Sequence, residues 1–156
     1  EIYNYNDLRK DLESETKFAS FCDSEILLHG YNKSGISYVK ELNGIFGFVC
    51  VGDDGENVLA ARDHCGIKPL YIGYGKGGCI WFASELKAIC DQCDTIEEFP
   101  AGYYWTPVSG FVKYYRPDWD NDDYVGVKVG QAGLTISAFQ CQAPRASTFP
   151  SLLAFL

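Results

Sequence analysis

The first forty residues carry apolar positions at helical spacing. Leu8 and Leu12 lie four apart in a polar stretch, which predicts a helix over residues 4–15 with Asn4 or Asn6 as its cap. Ile26, Leu27 and Tyr31 share one helical face behind Asp23, and Ile36, Val39 and Leu42 suggest a third helical segment over residues 35–42. The period then changes. Residues 45–51 are a continuous apolar run of strand length, as expected of a strand buried on both faces, and residues 53–57 read as a turn into a second strand at 58–62. Residues 70–74 and 79–83 flank Gly75-Lys76-Gly77-Gly78, a strong hairpin signal. Ser84 can cap a short helix over residues 85–90, and strands at 99–106 and 111–115 flank Pro107-Val108-Ser109-Gly110. Helices first and antiparallel hairpins after them predict an α+β domain with helices packed on sheet.

The pattern stops at an acidic hinge, Asp120-Asn121-Asp122-Asp123, beyond which no acidic residue follows and no period is sustained. Residues 1–119 are therefore read as one domain and 120–156 as a separate, irregular tail. Apolar residues make up 47% of the 156, enough for a real core. A net charge of −8 argues against nucleic acid or an anionic membrane surface as partner. No apolar run approaches the roughly 20 residues of a spanning helix, and the polar opening is not a signal peptide. Seven irregularly spaced cysteines, several inside apolar runs, read as reduced thiols in a cytoplasmic protein. The sequence contains no methionine, so residues are expected to precede Glu1.

Most candidate motifs have a structural reading. Cys90-Asp91-Gln92-Cys93 is a single Cys-x-x-Cys with no second pair, so no metal is expected there and it reads as a helix end and loop. His64 and Cys65 are adjacent, and adjacent strand residues point to opposite faces. His29 falls on a helix, at the surface or the edge of the core. The aromatic residues from Tyr103 to Trp119 read as sheet packing. Residues 62–70 hold an unusual density of charge, Gly and Pro. Asp63 can bond to the turn backbone, Gly66 permits an unusual dihedral, Pro69 fixes the following strand, and Arg62 can pair with Asp63 or a neighbouring acid. That stretch is expected to be a scaffold at a sheet junction. No Walker or Rossmann glycine loop occurs.

The ordered motifs "EIYN", "LNGIFGFV", "ARDHCGIKPLY" and "WFASELKAI" resemble the glutamine amidotransferase domain of the N-terminal-nucleophile class. The last of them, with "EEFPAGYYW", is most similar to the glutamine-hydrolysing asparagine synthetases, and the resemblance runs from Glu1 to about Trp119. It implies a layered helix/sheet/sheet/helix fold, truncated here at its N-terminus. It implies hydrolysis of L-glutamine to supply ammonia, while a second half, using ATP and Mg²⁺, activates L-aspartate for conversion to asparagine. The intact enzyme is expected to be cytoplasmic and able to form a homodimer. The chain itself is expected to hold no cofactor and no metal.

The resemblance assigns glutamine binding to Glu1, matching the Glu of the family's Asn-Gly-Glu motif, and to Asp23, matching the aspartate that accepts the substrate's α-ammonium. Asp23 is also well placed to cap the second helix. The family's nucleophile is an N-terminal cysteine whose α-amine serves as base. No catalytic residue of that set, and no ATP-binding loop, is matched here. The chain is thus expected to be a fragment that is inactive alone. Rival readings are the glutaminase half of another amidotransferase, such as amidophosphoribosyltransferase, or a non-catalytic module that retains the fold.

Overall fold

The computed structural model describes residues 1–52, 55, 57–117 and the backbone of Leu152–Phe155. Two α-helices come first, α1 (Tyr5–Glu13) and α2 (Glu25–Ser34), followed by a 3-10 segment, Gly35–Glu41. Strands β1 (Gly47–Val51), β2 (Val58–Arg62), β3 (Tyr71–Gly75), β4 (Ile80–Ala83), β5 (Cys93–Glu98), β6 (Tyr103–Thr106), β7 (Gly110–Lys113) and β8 (Leu152–Phe155) form two antiparallel sheets. Their orders are β7-β6-β2-β1-β8 and β4-β3-β5. The α+β class expected from the pattern is the one observed.

The period of two along β1 and β2 builds the layers. Phe48, Cys50, Leu59 and Ala61 point into a core shared with Leu8 and Leu12 of α1 and Ile26 and Leu27 of α2. Their alternates, Val49 and Ala60, join Leu70, Ile72, Phe99 and Trp105 in a second core between the sheets. The first sheet is thus covered on both faces, as the unbroken apolar run required. Burying each of Phe46, Phe48 and Phe99, all at most 2% exposed, contributes about 2–3 kcal/mol. Both α-helices lie on the first sheet, and among the described residues no α-helix covers the second one, so the outermost helical layer of the expected stack is not among them.

Several boundaries moved. The third helix is a 3-10 segment, and the helix after Ser84 is one 3-10 turn, Leu86–Ala88, without a side-chain cap. Asn4 does not cap α1 with its side chain; its amide donates to the Glu41 carbonyl and its oxygen accepts from Asn43 N–H, tying the helix start to the loop before β1. β5 was not anticipated. Its sequence, Cys-Asp-Thr-Ile-Glu-Glu, lacks an apolar stripe, and it is held by its ladder with β3. Residues 152–155 of the expected irregular tail form β8, an apolar run of strand length paired along the outer edge of β1. The hinge at 120–123 lies outside the described residues.

Candidate functional site

The chain's opening residues are pinned between the first sheet and the start of α2. Glu1 exchanges two backbone hydrogen bonds with Ile45, at 2.8 and 3.0 Å, and Ile2 bridges antiparallel to Gly44. A Cβ at position 44 would collide with the Glu1 carbonyl, so this close approach needs glycine. Ile2 N–H donates to Asp23 Oδ2 at 3.0 Å, and the amino nitrogen of Glu1 lies 3.9 Å from the same oxygen. The two residues singled out for glutamine are therefore brought together from opposite ends of a 22-residue excursion. The Glu1 side chain is 76% exposed and that of Asp23 30% exposed. Asp23 Oδ1 lies 3.8 Å from the Cys22 thiol. A carboxylate with one oxygen anchored and the other near solvent can receive an ammonium group.

Asp23 does not cap α2. Ser24 occupies the cap position without a side-chain bond, and the carboxylate is turned toward Ile2 instead. The loop before α2 is organised by Glu25. Its carboxylate accepts from Ala19 N–H at 2.6 Å, from Ser20 N–H at 2.8 Å and from the Ser20 hydroxyl at 2.7 Å, with His29 Nε2 at 3.3 Å. Burial pushes the Glu25 pKa up, but the Ser20 hydroxyl, the two amides and His29 outweigh it and hold the pKa at about 2. An unfolded glutamate titrates near 4.3, so the stabilisation is full above about pH 4.3 and is lost as pH falls through 2. Urea unfolding of the parent chain and of Glu25→Gln should differ by about 2 kcal/mol at pH 6, and the difference should shrink steadily between pH 4 and pH 2.

Residues 62–70 form the joint between the sheets. Asp63 is fully buried and accepts four backbone N–H groups: Cys65 (3.0 Å) and Ile67 (3.1 Å) on Oδ1, Lys68 (3.2 Å) and Phe46 (3.3 Å) on Oδ2. Its carbonyl accepts from Gly66 and Gly102 N–H, and Gly66 takes the left-handed φ of +64° that closes the turn. Arg62, 6% exposed, spreads its guanidinium over the carbonyls of Lys68 (2.7 Å), Gly66 (2.8 Å) and Phe99 (2.6 Å) and the carboxylate of Glu98 (2.8 Å). The Tyr114 hydroxyl donates to the Arg62 carbonyl at 2.9 Å. The scaffold role expected of this stretch is what these bonds perform, with Glu98 as the acid that Arg62 chooses.

The remaining candidates fall on the structural side. His64 stacks on Tyr115, with ring centroids 4.5 Å apart, and His29 packs edge-on against Phe18. Cys90 Sγ contacts the Leu86 carbonyl at 2.9 Å, and among the described residues no group of three His, Cys, Asp or Glu could hold a metal. No helix among them is long and apolar enough to cross a membrane. Residue spacing did not point to Glu25 or to the Tyr114 hydroxyl. The acid three positions after Cys22 and the first of the two tyrosines after β7 are visible only as types; Glu25 finds its partners in the preceding loop and in His29, and Tyr114 finds its own 52 positions back.

Comparison with known proteins matches residues 1–91 to the glutamine amidotransferase domain. A probable asparagine synthetase (glutamine-hydrolysing) of Dictyostelium discoideum is 45% identical over 122 residues, which is 76% of this chain and 22% of that protein. Asparagine synthetase (glutamine-hydrolysing) 1 of Arabidopsis thaliana is 39% identical over 123 residues, 78% of this chain and 21% of that protein. The nodule asparagine synthetase of Pisum sativum is 41% identical over 123 residues, again 78% and 21%. The chain thus spans about a fifth of the length of the curated relatives it matches.

Proposed function

The chain belongs to the glutamine amidotransferase family, and on that premise we propose that it is the glutamine-handling part of a glutamine-hydrolysing asparagine synthetase. In this reading the parent protein hydrolyses L-glutamine and delivers the ammonia to an aspartyl group activated with ATP. The observation that carries it is the junction of Glu1, Ile2 and Asp23. One oxygen of the Asp23 carboxylate holds the opening segment and the other is left for the α-ammonium of glutamine. In this reading Glu1, its side chain 76% exposed, offers a second carboxylate to the substrate.

ATP and Mg²⁺ belong, in this reading, to the synthetase part of the parent protein. The sequence offers no phosphate-cradling glycine loop, and among the described residues no three His, Cys, Asp or Glu side chains are grouped as metal ligands would be. The six cysteines among the described residues are all free, which supports a reducing, cytoplasmic setting.

The experiment is isotopic. L-glutamine labelled with ¹⁵N in its amide is supplied with aspartate and ATP to the longer protein that carries these residues, and label is sought in the amide of asparagine. Labelled asparagine is the expected product. Label in a phosphoribosyl amine, given phosphoribosyl pyrophosphate, would overturn the synthetase assignment. The 156-residue chain alone is expected to release no glutamate from glutamine, because none of its residues matches the family's cysteine nucleophile; measurable hydrolysis would refute this.

A further inference from the structure

The loop that delivers Asp23 has no apolar support. Ala19, Ser20, Phe21 and Cys22 are all exposed, and none of them joins either core. Fixing such residues costs conformational entropy that burial does not offset, so polar bonds must hold them. Ser20 makes most of those bonds. Its N–H and its hydroxyl both donate to Glu25 Oε2, at 2.8 and 2.7 Å. Its carbonyl accepts from Arg9 Nη1 at 2.8 Å, and its Oγ accepts the Cys22 N–H at 3.1 Å. Every polar group of this exposed serine is engaged.

The bonds lead toward Asp23. Arg9 is fixed on α1 by Glu13 at 2.7 Å, and its guanidinium lies 4.2 Å from the centroid of the Phe18 ring. Glu25 stands in the first turn of α2, with its side chain 15% exposed. Ser20 therefore ties the loop to both helices, and its hydroxyl passes that constraint to Cys22. The Cys22 carbonyl in turn accepts the Glu25 N–H at 3.2 Å, so the peptide units on both sides of Cys22 are pinned. Asp23 is the next residue. Its Oδ2 holds the Ile2 N–H at 3.0 Å, and the direction of Oδ1 follows from how the backbone before it is set.

We propose that Ser20 is a positioning residue for the Asp23 carboxylate. It touches neither that carboxylate nor a substrate. Its hydroxyl fixes the Cys22 peptide, and through it the aim of the two carboxylate oxygens. The consequence for glutamine rests on the reading of Asp23 as the partner of the substrate ammonium; the consequence for the Ile2 N–H does not.

The test has two arms. On the 156-residue chain, hydrogen exchange at the Ile2 amide reports how firmly Asp23 is held. Ser20→Ala should speed that exchange about tenfold and leave β1 and β2 at the parent rate, and Ser20→Thr, which keeps the hydroxyl, should match the parent. In the longer protein, Ser20→Ala should raise the KM for glutamine about tenfold with kcat unchanged, and Ser20→Thr should restore the parent KM. Unchanged Ile2 exchange in Ser20→Ala, or equally faster exchange through β1 and β2, overturns the positioning role whatever Asp23 binds. Faster Ile2 exchange with an unchanged KM, or with kcat falling as far as KM rises, overturns its extension to substrate when Asp23→Asn does raise KM. If Asp23→Asn leaves KM unchanged, the glutamine reading is what fails, and the Ile2 amide still decides the role of Ser20.

Discussion

Replacing Asp63 with alanine is expected to lower the unfolding free energy by about 4 kcal/mol, the largest effect of any single substitution outside the apolar core. The carboxylate is fully buried and takes four backbone N–H groups, from Phe46, Cys65, Ile67 and Lys68. Alanine leaves all four without an acceptor in a space closed to water. Asparagine is not a conservative replacement here. Its amide nitrogen would face two of the four N–H donors, so Asp63→Asn should be nearly as damaging as Asp63→Ala. Domains of this size have about 5–15 kcal/mol in hand, so either variant should melt well below the parent. Urea unfolding with circular dichroism measures the difference. A loss under about 1 kcal/mol for Asp63→Ala would mean that the joint does not depend on this carboxylate.

The second large effect is on substrate. On the proposed glutamine-binding role, Asp23→Asn in the longer protein is expected to raise the KM for glutamine about a hundredfold, because a charged partner for the substrate ammonium would become a neutral amide. Asn can still accept the Ile2 N–H through its oxygen, so the opening segment keeps its anchor. The side chain is 30% exposed, and the stability loss should accordingly be small. Synthesis driven by added ammonium salts bypasses glutamine and should be unchanged. That split separates a binding role from a structural one. If both reactions fall together, Asp23 acts by holding the fold. Asp23→Ala removes anchor and charge at once and should show both losses.

Much of this architecture could be read along the chain, for reasons that differ by element. The apolar run before Val51 foretold a strand covered on both faces, and Phe48 and Val49 do enter different cores. Asp63 followed by Gly66 and Pro69 foretold the turn, because those residues act on their own backbone within a few positions. β5 escaped notice because its stability comes from a ladder with β3 and not from an apolar stripe. The capping role proposed for Asp23 was reasonable by local chemistry and was displaced by a partner 21 positions away. β8 could not be placed either, since nothing in its composition says which sheet edge it meets.

The sequence by itself determined the α+β class, the doubly covered first sheet and the joint at residues 62–70, because periodicity and turn chemistry act over a few residues. Tertiary structure alone decided that Arg62 reaches Glu98 and Phe99, that Asp23 turns to Ile2, and that the Tyr38 hydroxyl is buried without a partner. Those partners are brought within hydrogen-bond range only when the sheets and helices close on one another. Loop closure, not local propensity, sets which distant donor meets which acceptor.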